Sequence, residues 1–193
     1  MKILMLIDSL GIGGAETHVC ALAEELARAG STVTVAASDG VLRERLINSK
    51  IKFIRLPSIK KPPISRKIQE CRNKISSKMC TDALTSCIIF NILKAHFQIC
   101  AIIKHYRPDI VHAHTRRMAF IVAPLCKAAK IPLITTAHAM FSMKGLRAPL
   151  SVWGNETIAV SEDIKEHILK HSKIRKSNIH VIYNGIKTQS STQ

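Results

Sequence analysis

Large apolar residues run almost unbroken from Ile3 to Ile7 and end at a glycine-rich loop. That is the pattern of a strand buried on both faces of a parallel sheet, and it predicts a first strand over Lys2 to Asp8. From Ala15 the period changes. Val19, Leu22, Ala23 and Leu26 fall on one helical face, and Gly30 follows as a stop. Thr32 to Ala37 is β-branched and apolar, so a strand, a helix and a strand succeed one another within forty residues. A parallel pair with a right-handed crossover follows. Leu42 to Asn48 predicts a short helix and Lys52 to Leu56 a third strand, before Pro57, Pro62 and Pro63 break the pattern.

Between Ile64 and Tyr106 no strand signal occurs, while Leu84, Ile88, Ile92, Ala95, Ile99 and Ile102 recur at spacings of three and four. One or two long helices are expected. Alternation then resumes: strands at Asp109 to Ala113, Pro132 to Ala137, Glu156 to Val160 and His180 to Tyr183, with helices at Met118 to Lys130 and Glu162 to His171. The whole predicts an α/β fold with a Rossmann-like, doubly wound parallel sheet, one domain over residues 1–186 and a polar tail over 187–193.

Composition narrows the class. Hydrophobic residues make up 47% of the 193, which excludes a disordered chain. Asp8 interrupts the opening apolar run and no basic region or small-residue cleavage site frames it, so it does not read as a signal peptide. Ala83 to Tyr106 carries Asn91, Lys94, His96, Gln98 and Lys104, too many polar groups for a helix crossing hydrocarbon. The six cysteines show no paired spacing and read as reduced thiols, which points to the cytoplasm. The net charge of +16 is uneven: Arg43 to Lys78 holds 12 basic and 2 acidic residues. Such a block is either a solvated face or a surface for anions: phosphorylated substrates, an anionic membrane or nucleic acid. Aromatic residues at 4% and the lack of any nucleic-acid motif argue against the last.

Ligands of a doubly wound sheet bind beyond the carboxyl ends of its strands. Three features fall there. Gly11-Ile12-Gly13-Gly14 follows the first strand and opens a helix, either as a tight turn or as a loop whose N–H groups meet a phosphate. His112 and His114 end the fourth strand two residues apart and so share a face; His138 ends the fifth. No acidic or thiol ligand joins the His-x-His pair, so no metal site is expected, and no cofactor. Arg116 and Arg117 open the next helix, where its dipole disfavours cations; local stability does not explain them, and an anionic ligand would. Two dehydrogenase readings fail. Glu16 stands where a dinucleotide fingerprint needs glycine or alanine, and Asn184-Gly185 puts a turn between Tyr183 and Lys187.

Gly13-Gly14-Ala15-Glu16, His112-Ala113-His114, Thr136-Ala137-His138, Ile158-Ala159-Val160-Ser161 and Val181-Ile182-Tyr183-Asn184-Gly185-Ile186, taken in order, resemble glycosyltransferase family 4, retaining enzymes of the GT-B fold. By that resemblance the chain is the N-terminal, acceptor-side domain. It implies that Gly13 and Gly14 lie against the donor diphosphate and that His138 reaches the reacting sugar. Glu16, His112, His114, Arg116, Arg117 and Ser161 would line the cleft or the acceptor side. A nucleotide-sugar donor and a saccharide or lipid-linked acceptor are implied, as in lipopolysaccharide or polysaccharide synthesis, with the domain peripheral on the inner face of a membrane. Family members usually carry Pro in place of Tyr183 and Asp in place of Lys187. A second Rossmann-like domain would need on the order of 100 to 150 residues, and only seven follow Ile186. The nucleotide-binding half is not expected within these residues, which leaves three readings: a truncated, inactive product, one subunit of a split enzyme with a separately encoded C-terminal half, or a non-catalytic anion, membrane or nucleic-acid binding module.

Overall fold

The structure, a computed structural model, describes residues 1–59, 77–140 and 152–185, with side chains left aside over 77–88. Seven strands form one parallel sheet: β1 (Lys2–Ser9), β2 (Thr32–Ser38), β3 (Lys52–Arg55), β4 (Ile110–Ala113), β5 (Leu133–Ala137), β6 (Glu156–Ala159) and β7 (Ile179–Val181). The helices are α1 (Gly14–Arg28), α2 (Arg43–Asn48), α3 (Ser77–Tyr106), α4 (Arg116–Ala129) and α5 (Glu162–His171). Strand order is β3-β2-β1-β4-β5-β6-β7. The chain thus winds outward from β1 to β3, then returns to the other side of β1, which places the switch in winding direction between β1 and β4.

Alternation along β1 divides the core. Ile3, Met5 and Ile7 pack with Val19, Cys20 and Ala23 of α1 and Leu46 of α2. Leu4 and Leu6 pack with Ala95, Ile99 and Ile103 of α3 and Met118 and Val122 of α4. A third cluster joins Ala137 and Ala159 to Ile164 and Ile168 of α5. β1 is buried throughout after its first residue, which is why its sequence is continuously apolar rather than alternating.

Element types follow the sequence expectation, and the ends differ where local chemistry decides them. α4 begins at Arg116, two residues before the expected Met118, because Thr115 accepts a hydrogen bond from the Met118 N–H at 3.4 Å and caps the helix. It runs through Pro124 and stops at Lys130, whose left-handed backbone (φ 55°) closes the helix. β7 covers Ile179–Val181 rather than His180 to Tyr183, since its partner β6 ends at Ala159, opposite Val181. The Pro62-Pro63 loop, residues 64–76 of the expected helical region, and the tail 187–193 lie outside the described residues.

Gly40, after β2, is fixed by contact: a Cβ there would overlap the backbone of Leu10 and the Gly11 N–H. Leu42 donates its N–H to the Leu10 carbonyl at 3.0 Å, so the β2–α2 connection forms a floor under the loop that follows β1.

Among the described residues, no helix is long and apolar enough to cross a membrane. Cys20, Cys100 and Cys126 are free thiols, and burial pushes Cys20 and Cys126 up to about 11.

Candidate functional site

The carboxyl rim of β1, β4 and β5 gathers the residues with chemistry. Asp8, only 4% exposed, ends the apolar run of β1. Its carboxylate accepts from the Thr115 hydroxyl at 2.6 Å and pairs with the Arg117 guanidinium at 2.6 Å. This clamp ties the end of β1 to the start of α4 across the switch point. It also corrects the expectation that nothing local explains Arg117: a buried carboxylate needs a cation, and Arg117 supplies it. Arg116 opens the same helix.

The loop from Gly11 leads into α1. Gly13, its N-cap, has no side chain to cap the helix, and Glu16 folds back over it, so that a Cβ at Gly13 would collide with the Glu16 carboxylate. Gly14 differs. A Cβ there would meet nothing within 4 Å, and its backbone is not left-handed. Neither the fold nor the dihedrals require glycine at 14, whereas close approach of a ligand to the first turn of α1 would.

Alternation in β4 places Val111 and Ala113 in the α3–α4 core and turns His112 and His114 to the α1 side. Their rings lie 4.0 Å apart, centre to centre. His112, 6% exposed, sits behind His114 and bonds the Thr136 hydroxyl of β5 at 2.7 Å. It supports the rim from within rather than facing a cleft. His114, 2% exposed, directs Nδ1 at Nε2 of His138, 3.4 Å away. His138 follows β5 directly. His18, one turn into α1, completes the group, its ring 5.1 Å from that of His138 and 6.0 Å from that of His114.

Burial is the first cause of a lowered pKa for all four rings. His138 falls to about 4 and His112 to about 3, while His114 falls well below its ordinary value, each lowered further by neighbouring histidines; His18 is lowered as well. Near neutral pH the cluster is therefore uncharged, suited to hydrogen bonding rather than to proton donation. The described part of the basic block offers less free charge than its sequence suggests. Arg45 holds Glu24 through two contacts of 2.7 Å, and Arg43 and Arg55 lie 3.6 and 3.7 Å from Asp39. Lys60 to Lys74 lie outside the described residues.

The sequence pattern of Glycosyltransferase Family 4 matches residues 83–190, more than half of the chain. The chain belongs to glycosyltransferase family 4. No curated protein matches the family member in sequence. Among solved structures it is similar to a glycosyltransferase from Rickettsia africae (23% identity, TM-score 0.68, covering 96% of this chain and 43% of that one). It is also similar to HepE from Anabaena crystallised with UDP-glucose (20%, 0.68, 99% and 47%) and to MurG from Acinetobacter baumannii (18%, 0.62, 100% and 48%). The likeness is one of fold: the Rossmann-like half of a GT-B glycosyltransferase. The domain spans about half the length of the structures it matches.

In this glycosyltransferase domain, Ser161 follows β6 and accepts from the Ile164 N–H at 3.3 Å, so its hydroxyl serves as the N-cap of α5 at the edge of the rim. A cavity of about 470 Å³ opens between Cys126, Lys130, Leu133, Trp153 and Asn155. It lies at the amino ends of β5 and β6, opposite the rim where parallel sheets bind ligands. Three rim residues were not singled out from sequence. Asp8 was marked by its position, a charge closing an otherwise apolar strand. His18 was marked by none: on a helix beside Val19 and Cys20 it reads as an ordinary boundary residue. Thr136 stands in the Thr136-Ala137-His138 motif, but nothing in the sequence marks it as the partner of His112.

Proposed function

We propose that this chain supplies the acceptor-side half of a retaining glycosyltransferase, which moves a sugar from a nucleotide-sugar donor to a saccharide or lipid-linked acceptor when closed against a nucleotide-binding domain. The observation that carries the proposal is the convergence, at the β1/β4 switch point, of the glycine turn that opens α1, uncovered at Gly14, with His114 and His138. The first turn of α1 presents N–H groups and the positive end of the helix dipole to a donor diphosphate. The half-buried His138 ring, kept neutral, holds a hydroxyl of the reacting sugar and orients it. Asp8, through Thr115 and Arg117, keeps the strand ends in register beneath both. Negative charge grows on the leaving diphosphate as the glycosidic bond breaks, and one helix end gives only part of the stabilisation that this step requires. The remaining cations come from the second domain, in the same polypeptide or in a partner. A polypeptide of these 193 residues is accordingly expected to turn over no nucleotide sugar alone and to gain activity when joined to a family-4 nucleotide-binding domain. Turnover by the repurified 193-residue chain, or a closed two-domain protein without transferase activity, would count against the assignment; the second outcome would favour a non-catalytic anion-binding module.

A line of exposed apolar side chains on α3, Ile89, Phe90, Leu93 and Phe97, adds a reason to place the domain at the cytoplasmic surface of an anionic membrane, beside a lipid-linked acceptor. The lysines and arginines of residues 43–78 would supply the attraction. Sedimentation with anionic vesicles is expected to weaken as salt is added. Equal binding to neutral vesicles, or to RNA, would remove the membrane from the proposal.

A further inference from the structure

One ring nitrogen from each of His18, His114 and His138 lies within 4.8 Å of the other two, brought together from α1, β4 and the end of β5. The tightest pair, His114 Nδ1 and His138 Nε2, is separated by 3.4 Å. Two imidazole nitrogens bound to one tetrahedral zinc ion, with bonds of about 2.0–2.1 Å, stand roughly 3.3–3.4 Å apart. The same separation is long for a hydrogen bond, which for N–H donors is commonly about 2.7–3.2 Å. Histidines kept for structure have their ring nitrogens satisfied when buried. The outer nitrogens, His114 Nε2 and His138 Nδ1, are buried and find no hydrogen-bond partner among the described residues; a ligating ring ordinarily donates that second N–H, so they mark these rings as unclaimed by the core and do not themselves point to a metal, which rests on the spacing of the inner nitrogens. His112 shows the contrast, since its Nε2 is taken up by Thr136.

We propose that His18, His114 and His138 form a binding site for a divalent transition metal of the zinc class. The expectation of no metal site considered only His112 and His114. The fold instead pairs His114 with His138 and adds a third imidazole from the helix that opens after the glycine loop. Three neutral nitrogen ligands suit zinc, cobalt or nickel and are poor partners for magnesium or calcium, which take oxygen. They leave the fourth coordination position to water or to an anionic oxygen, as in three-ligand zinc sites. A metal held there engages the ring that the proposed function gives to the donor sugar, so bound zinc would oppose transfer rather than assist it. The site stands independently of that function: it is read by binding alone, and either can fail without the other.

The test is titration of the 193-residue chain with Co²⁺, followed by its visible absorption and by calorimetry. One ion per chain with the intense visible bands of tetrahedral nitrogen coordination is expected. His18→Asn is expected to weaken binding at least tenfold while far-ultraviolet circular dichroism stays unchanged, and His138→Asn provides a second ligand variant should the first alter the fold. A double variant, His167→Asn with His171→Asn, removes the other neighbouring pair of rings, 4.6 Å apart on α5, and is expected to bind as the parent does. The proposal is overturned if the folded chain takes no Co²⁺, if both ligand variants bind as well as the parent, or if the α5 variant abolishes binding. A sulfur-to-cobalt band in the near ultraviolet would likewise overturn it, by placing the metal on cysteine.

Discussion

Replacing His138 by alanine in a protein that carries both domains is expected to lower turnover about tenfold or more, a loss of roughly 1.4 kcal/mol or greater in transition-state stabilisation. The melting temperature should move little. His138 is only partly buried and follows β5 rather than lying within it, and its polar contact, 3.4 Å from Nε2 to His114 Nδ1, is long for a hydrogen bond, so its removal costs the core little. Its neighbour supplies the contrast. His112 is buried and bonded to Thr136, and its replacement should cost stability first and activity through it. If His138→Ala lowers the melting temperature as much as His112→Ala does, His138 is a structural ring. If turnover is unaltered, it is not at the reacting sugar.

Acid should destabilise this domain earlier than it does most. A histidine whose pKa is depressed by folding binds fewer protons in the native state than in the unfolded chain, so its linkage favours folding less as pH falls. Its contribution is fully present above the unfolded value near 6.5 and is lost as pH drops from there toward the folded value. For His112 and His138 the folded values are about 3 and about 4, and His114 and His18 shift in the same direction. Between pH 7.5 and 5 each fully buried ring forgoes up to about 2 kcal/mol, and allowing for the exposure of His18 and His138 the total is on the order of 2–5 kcal/mol. A fall in melting temperature of about 10 °C is expected over that interval. Thermal melts at pH 7.5, 6 and 5 measure it, and His138→Asn should flatten the slope. A melting temperature constant within about 2 °C across the range would show that the rings take up protons without hindrance from the fold.

Much of this fold was legible in the sequence because its signals are local. The Ile3–Ile7 run, the stop at Gly30 and the acids opening α5 each report on a neighbourhood of a few residues, and the parallel sheet follows from their alternation. The site was legible by halves. His114 and His138 stand at strand ends, and Gly13 and Gly14 open the helix after β1, where the sequence alone gives position along the rim. Contacts across the rim depend on which strand lies beside which. That Asp8 meets Thr115 and Arg117, 107 residues and more away, and that His18 meets His114, required the order β2-β1-β4-β5, which no periodicity encodes. The cap at Ser161 was marked only as a cleft residue because a serine before a helix serves both readings.

Gly40 carries a consequence for how this surface can change. The loop after β1 carries the glycines proposed to meet the donor diphosphate, yet its backbone rests against position 40, where a Cβ would not fit. Ile12, fully outward at 85% exposure, is open to wide substitution. Position 40 is not, although it lies outside that loop, in the crossover that follows β2. Anyone recasting the loop for another donor has free choice at its tip and none at its footing, and a library that varies residues 11–16 while also varying residue 40 would lose its folded members at the one position outside the loop.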